Sequence, residues 1–161
     1  MGQYFLMSKR LNKKTCQDFG LTQSNNIEIA INPIDGSLWK KCTLYDLGWG
    51  PENGFYKLPL PGFEQLIEII LNTDYDEDRY GAASIILNIY PAQLLEKSET
   101  LLFNYRNYQS VRNIKVLIKV FHLDEPTNKS PTLGKSFDEI SKDFERWKSI
   151  SDYINKQINV E

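Results

Sequence analysis

The chain has 161 residues, of which 41% are hydrophobic and 25% charged, which is an ordinary composition for one globular domain. The formal net charge of -2 and the pI of about 5.5 disfavour general binding to nucleic acid. No apolar run approaches the roughly 20 residues of a membrane span, and the N-terminal apolar run is too short for a secretory signal. We therefore expect a single cytoplasmic domain over residues 1–161 that contacts neither nucleic acid nor membrane.

Strand signals dominate the first part of the chain. Residues 3–7 predict a short strand or a docked terminus, and residues 8–26 predict a loop or a weak helix. Isoleucines alternate with other residues over 27–31, which is the period of a strand. The Asn-Pro-Ile-Asp-Gly stretch at 32–36 has turn chemistry, because proline fixes one dihedral angle and glycine accepts a positive φ. A second strand over 38–45 then completes a predicted antiparallel hairpin.

A long ordered loop is predicted for residues 46–62, which hold four glycines, three prolines and several aromatic side chains. The next segment carries apolar residues at the spacing of one helix face, with polar residues outside. That face consists of Phe63, Leu66, Ile67, Ile70 and Leu71. The pattern predicts an amphipathic helix that starts at Phe63.

Residues 74–103 predict two helices joined by a corner at Pro91. Asp74 with Glu77 three positions later forms a capping-box-like pair, and the helix dipole favours acids in a first turn. The first helix is apolar on most sides, so we expect it to be buried. Pro91 cannot continue this helix but suits the first turn of the next one. The predicted interior positions of the first helix include Ile86 and Ile89.

Two further helices are predicted. Residues 109–123 have the β-branched content of a strand, but their basic side chains form one polar stripe only on a helix, which we favour. That stripe consists of Arg112, Lys115, Lys119 and His122. Ser136 with Glu139 forms a capping box that starts a long final helix. Its aromatic residues, assigned to the core, are Phe137, Phe144 and Trp147.

The predicted fold class is therefore α+β. An N-terminal antiparallel β-hairpin or small sheet is expected to pack on a mainly helical C-terminal part of four to five helices.

Catalytic chemistry has few candidates in this sequence. His122 is the lone histidine and no Cys-x-x-Cys pair exists, so we expect no metal site built on several imidazoles or on paired thiolates. The Gly-rich stretch at 48–54 lacks the Lys-Ser or Lys-Thr of a phosphate-binding loop. A nucleophile pair could still combine His122 with Cys16 or Cys42, although reduced structural thiols are the simpler interpretation.

The acids Asp74, Asp76, Glu77 and Asp78 have three interpretations. The simplest is helix capping and dipole complementarity. The second is an acidic docking patch for a basic partner. The third is a carboxylate pair for catalysis or a divalent cation, although an EF-hand loop is excluded because Arg79 takes the place of the required glycine.

Two stretches carry a resemblance: the loop GWGPENGFYKLPLPG leading into a helix, and the segment EDRYGAASIILNIYP. In these the chain resembles small bacterial immunity proteins of polymorphic or contact-dependent toxin systems. The resemblance implies a non-enzymatic protein that neutralises a cognate toxin, itself often basic, by tight surface binding without a cofactor. An acidic patch would steer association with such a partner. The implied partner-binding residues are Asp74, Asp76, Glu77 and Asp78 as rim charges, with Trp49 or Tyr56 as anchors.

Two alternatives stay open at this point. One is a small enzyme, a hydrolase with a carboxylate and histidine site. The other is a structural adaptor that forms a homodimer through the final helix. The sequence leaves the oligomeric state open.

Overall fold

The computed structural model describes residues 2–8, 14–46, 50–103 and 108–157. By contacts between residues the chain divides into two compact units, Met1–Ile85 and Ile86–Glu161, each of which is described by itself. The described residues form a five-stranded antiparallel sheet followed by five α-helices. The predicted α+β class is thereby confirmed.

The sheet belongs to the first unit and has the strand order β1-β5-β4-β3-β2, with every neighbouring pair antiparallel. The strands are β1 (Phe5–Met7), β2 (Thr22–Gln23), β3 (Ile29–Ile31), β4 (Leu38–Asp46) and β5 (Gly50–Lys57). The predicted hairpin is confirmed as β3 and β4, joined by the turn over 32–37. In that turn Gly36 has a φ of +71°, which a glycine adopts without strain.

The prediction of a loop over residues 46–62 is wrong for its first part. β4 continues to Asp46, and β5 pairs with it from Gly50 to Lys57. Pro51 had argued against a strand, because proline cannot donate a hydrogen bond to a sheet. Among the described strands, β1 accompanies β5 only opposite residues 54–56, so Pro51 has a partner strand on one side alone. That is the edge position at which a sheet tolerates proline.

The two faces of the sheet are covered differently. On one face Leu6, Trp39 and Phe55 join the short 3-10 helix Gln17–Phe19 and its neighbours in one apolar cluster. The full cluster is Leu6, Cys16, Phe19, Leu21, Ala30, Trp39 and Phe55. On the other face Phe5 is fully buried beneath a helix. The residues 8–26, predicted as loop or weak helix, thus supply part of the core.

The five helices are α1 (Phe63–Asn72), α2 (Asp76–Ile89), α3 (Pro91–Phe103), α4 (Tyr108–Phe121) and α5 (Phe137–Gln157). Their existence confirms the helix predictions, including the preference for helix over strand in residues 109–123. Helix α1 buries Leu66, Ile67 and Ile70, as its spacing indicated. Helix α2 runs from the first unit into the second. None of the helices in the described ranges is long and apolar enough to cross a bilayer.

In the second unit, α5 is held through its central turns. Arg146 donates two hydrogen bonds to the Glu99 carboxylate on α3, at 2.9 and 2.7 Å. Trp147 Nε1 donates to Ser130 Oγ at 3.0 Å, and Ser151 Oγ donates to the Asp124 carbonyl at 2.6 Å. Both accepting residues lie in the connection between α4 and α5.

Three core assignments are wrong. Phe137 is 82% exposed and Phe144 is 36% exposed, whereas Trp147 is buried at 1%. The contacts that anchor α5 fall at residues 143–155, so its first two turns present their apolar stripe to solvent. In α2, Ile86 is fully buried as predicted, but Ile89 is 48% exposed because it lies in the last turn, where the helix ends.

Candidate binding groove

Asp78 is a structural residue and not a surface charge. The residue is only 1% exposed. Its Oδ1 accepts hydrogen bonds from the backbone N–H groups of Tyr4 and Phe5 at 2.7 and 2.8 Å. Oδ2 accepts a third from Gln3 at 2.7 Å. This carboxylate therefore fixes the start of β1 against α2. The prediction of Asp78 as a rim charge is corrected accordingly, because a buried and fully used carboxylate cannot meet a partner.

Two glycines allow this close approach. A Cβ on Gly2 would lie 2.2 Å from the Phe5 carbonyl oxygen and 2.7 Å from Asp78 Oδ1. A Cβ on Gly81 would lie 2.4 Å from Cγ of the Phe5 ring. Since real Cβ atoms do not come so near, both positions require glycine for space. The N-terminal residues thus form a wall held tightly on α2.

Beside this wall the first unit has an open groove of about 1000 Å³. Four segments border it: the N-terminal residues, the turn after β3, the stretch that follows β5, and α1 with the connection to α2. The lining residues are Gly2, Gln3, Tyr4, Asn32, Asp35, Trp39, Lys57, Leu58, Pro59, Leu60, Pro61, Gln65, Glu68, Ile69, Asn72, Thr73, Asp74, Tyr75 and Asp78.

Each wall is held in place by local bonds. Gln65, Glu68, Ile69 and Asn72 lie at helical spacing, so α1 presents one continuous face. Gly62 is the N-cap of α1 and has no side chain to cap the helix. Its backbone N–H donates to Gln65 Oε1 at 3.2 Å. The stretch after β5 is tied to β4 by the Leu58 N–H, which donates to the Leu38 carbonyl at 2.8 Å.

The connection between α1 and α2 is fixed by an arginine. Arg79 Nη2 donates to the Thr73 carbonyl at 2.5 Å, and its Nε donates to the Ile70 carbonyl at 3.4 Å. These are carbonyls at the C-terminal end of α1, which lack a helical partner. Arg79 Nη1 also lies 3.3 Å from Asp76 Oδ1. The groove wall at residues 73–75 is therefore braced from α2.

The groove carries a negative charge excess. Among the described residues, its lining holds four acids, Asp35, Glu68, Asp74 and Asp78, and one base, Lys57. Lys57 Nζ lies 3.4 Å from Asp35 Oδ2, so this cation is already neutralised. Hydrogen bonds from the Ser37 side chain and backbone, and then Lys57, hold the pKa of Asp35 below its usual value. In the part of the chain that the structure describes, Glu68 and Asp74 form no ion pair.

Aromatic and apolar side chains complete the lining. Tyr4 is 41% and Tyr75 38% exposed, and both residues line the groove. Trp39 is buried, and its Nε1 donates to Ser37 Oγ at 2.9 Å. Leu60 and Ile69 are half-buried. The groove thus offers apolar contact area together with the carboxylates of Glu68 and Asp74, which form no ion pair among the described residues.

The structure distributes the remaining sequence-predicted site residues unevenly. Asp74 is exposed and lines the groove, while Asp76 is exposed and paired with Arg79. Glu77 is half-buried in the first turn of α2. Tyr56 is half-buried in β5 between Phe5 and Lys40, and it does not line the groove. Trp49 lies outside the described residues.

The groove residues Tyr4, Asp35, Glu68 and Tyr75 were not among the predicted site residues. They come from three of the four segments that border the groove, and only the fold brings those segments together. Glu68 carried the weak signal of a polar residue on the outer face of an amphipathic helix, and Tyr75 that of a neighbour to the acidic cluster. Neither signal distinguishes a groove from a solvated surface.

The candidate nucleophile pair of His122 with Cys16 or Cys42 consists of residues whose contacts are structural. Cys42 lies in β4, where burial raises the pKa of its thiol to about 12, which keeps it protonated at neutral pH. Cys16 is buried, and its thiol donates to Gln17 Oε1 at 3.1 Å. In the second unit, Nδ1 of the exposed His122 lies 3.3 Å from Glu125 Oε1. The described residues contain no group of three or more His, Cys, Asp or Glu suited to a metal ion.

The basic stripe of α4 borders a shallow depression of about 360 Å³ in the second unit. Its lining consists of Val111, Arg112, Lys115, Val116 and Lys119. All five residues belong to α4, and no described residue of another element lines the depression.

No family model, curated protein or solved structure matches the chain.

Proposed function

We propose that the protein is a non-enzymatic, cytoplasmic protein-binding module of the immunity type, which neutralises a cognate bacterial toxin by occupying its surface. The observation that carries the proposal is the acidic groove of the first unit, with Glu68 and Asp74 unpaired among the described residues. Concave sites with a few polar groups on an apolar lining are typical binding sites. The resemblance noted in the sequence supplies the class of partner.

Charge supports a basic partner. Asp74 stands in the groove, and Asp76 and Glu77 follow it within the first turn of α2. Acids on one side of an interface accelerate encounter with a basic surface and disfavour acidic competitors. A basic toxin domain, such as one that binds nucleic acid, would present such a surface. Covering that surface would block its substrate without any chemistry by the inhibitor.

Co-expression with the product of the adjacent toxin gene tests this proposal. We expect a stable complex on gel filtration and loss of the toxic phenotype. Glu68→Lys with Asp74→Lys should weaken complex formation at least tenfold, because two attractive contacts become repulsive. Glu145, another exposed glutamate, lies on α5; the control variant Glu145→Lys should bind as the unaltered chain does. Absence of a complex with the unaltered chain would refute the proposal.

A further inference from the structure

The groove has unused capacity for a cation. The one base among its described lining residues, Lys57, is paired with Asp35, and the Asp78 carboxylate accepts hydrogen bonds from three backbone N–H groups. Glu68 and Asp74 stand without an ion pair in the described part of the chain. A concavity lined by acids focuses a negative potential and draws in positive charge.

The lining also selects for a particular kind of cation. The lining includes apolar side chains, Leu60 and Ile69 among them, as well as the carboxylates. Arginine and lysine have long aliphatic stems that pack on apolar surface while their charged ends stay near polar groups. The exposed rings of Tyr4 and Tyr75 can add cation-π contacts. A small inorganic cation would use the carboxylates and leave the apolar lining unfilled.

We infer that the groove holds an extended segment of the partner protein that carries arginine or lysine side chains. The stems pack against Leu60 and Ile69, and the charged ends meet Glu68 and Asp74. This inference rests on the proposed function in one respect, that the natural occupant belongs to a protein.

A titration of the full-length chain with short peptides tests the occupant. The probe is a seven-residue peptide with arginines alternating with glycines, and its counterpart has glutamates in place of the arginines. We expect the arginine peptide to shift the amide resonances of groove residues such as Gln65 and Thr73, while the glutamate peptide shifts none. The double variant Glu68→Gln, Asp74→Asn should weaken binding about fivefold, the size expected for two exposed ion pairs.

Controls separate the groove from general acidity. Glu145→Gln, which removes an exposed carboxylate from the second unit, should leave the affinity unchanged. The substitutions in the double variant and in the control are all isosteric and at exposed sites. For each variant, an amide spectrum without peptide that matches that of the unaltered chain verifies the fold. Failure of the arginine peptide to bind, or equal binding by the double variant, would overturn the inference. Equal affinity for spermidine would overturn it too, because a polyamine site needs no peptide.

The intact toxin distinguishes the two proposals. Suppose that the unaltered chain neutralises the toxin and that the isosteric double variant binds the toxin with equal affinity. The groove then does not bind the basic segment, while the proposed function stands. If the unaltered chain does not bind the toxin, the proposed function falls, and the peptide titration still decides what the groove holds.

Discussion

At the residue scale, Asp78 has the sequence pattern of an exposed charge, but its buried carboxylate stabilises the fold by accepting backbone hydrogen bonds. The local sequence does not distinguish Asp78 from the acids next to it. Its three hydrogen-bond partners, however, lie 73–75 positions away in the chain. Its neighbours Asp76 and Asp74 are exposed. No local pattern separates these roles, because burial depends on which strand the helix turns toward. That is why the docking patch predicted from four acids loses one of them.

The Asp78 contacts lead to the first prediction. Asp78→Asn should destabilise the first unit by about 3 kcal/mol, since an amide replaces three charge-assisted bonds and places its own N–H₂ among backbone donors. Urea unfolding and amide exchange at Phe5 measure the effect. Asp76→Asn, which removes only an exposed ion pair with Arg79, should cost less than about 0.5 kcal/mol. Equal stability of the two variants would show that the Asp78 carboxylate does not hold the start of β1 against α2.

The second residue-scale prediction concerns Cys42. Burial raises the pKa of its thiol from 9.0 to about 12, so the folded state holds this proton more tightly than the unfolded state. The resulting contribution to stability is complete below pH 9 and is lost as the pH rises toward 12. Alkylation by iodoacetamide at pH 8, located by peptide mass mapping, should be far slower in the folded chain than in urea. Rapid labelling of folded Cys42 at pH 8 would reopen its candidacy as a nucleophile.

At the element scale, helices were predictable and strand extents were not. The apolar spacing of α1 follows one helix face, and its own residues specify it. In contrast, β5 includes glycines and Pro51, which argue against a strand until β4 is seen to pair with it. Likewise, Phe137 has the right spacing for a core stripe but lies beyond the turns of α5 that have a partner. Periodicity identifies a face; the neighbouring elements determine how much of it is buried.

The contact between α2 and β1 gives a prediction in which the usual sign is reversed. Replacing glycine by alanine inside a helix ordinarily stabilises it by about 1 kcal/mol. Gly81→Ala should instead destabilise by about 2 kcal/mol, because the new Cβ would lie 2.4 Å from the buried Phe5 ring. Gly62→Ala is the control, since a Cβ there meets nothing within 4 Å. Chemical denaturation measures both variants.

A double-mutant cycle identifies the cause of the Gly81 effect. In a Phe5→Leu background the smaller side chain leaves room for the added methyl group, so Gly81→Ala should cost clearly less than in the unaltered chain. Identical costs in the two backgrounds would show that Phe5 is not the group that excludes alanine from α2.

At the scale of the whole molecule, charge is divided between the two units. The first, Met1–Ile85, contains 11 acidic and 8 basic residues, and the second, Ile86–Glu161, contains 10 acidic and 11 basic residues. The overall charge of -2 thus conceals an acidic unit beside a nearly neutral one. The groove lies in the acidic unit. Net charge alone could not have predicted this, because the division follows from the fold.

This division predicts the salt dependence of partner binding. If the acidic unit steers a basic toxin, the association rate constant should fall steeply between 10 and 150 mM NaCl, where the screening length shortens from roughly 30 to 8 Å, while the dissociation rate changes little. Stopped-flow fluorescence with the purified toxin measures both rates. Glu68→Gln with Asp74→Asn should flatten this dependence, whereas Glu145→Gln should not. An association rate that is independent of salt would mean that shape and apolar contact in the groove, and not its charge, select the partner.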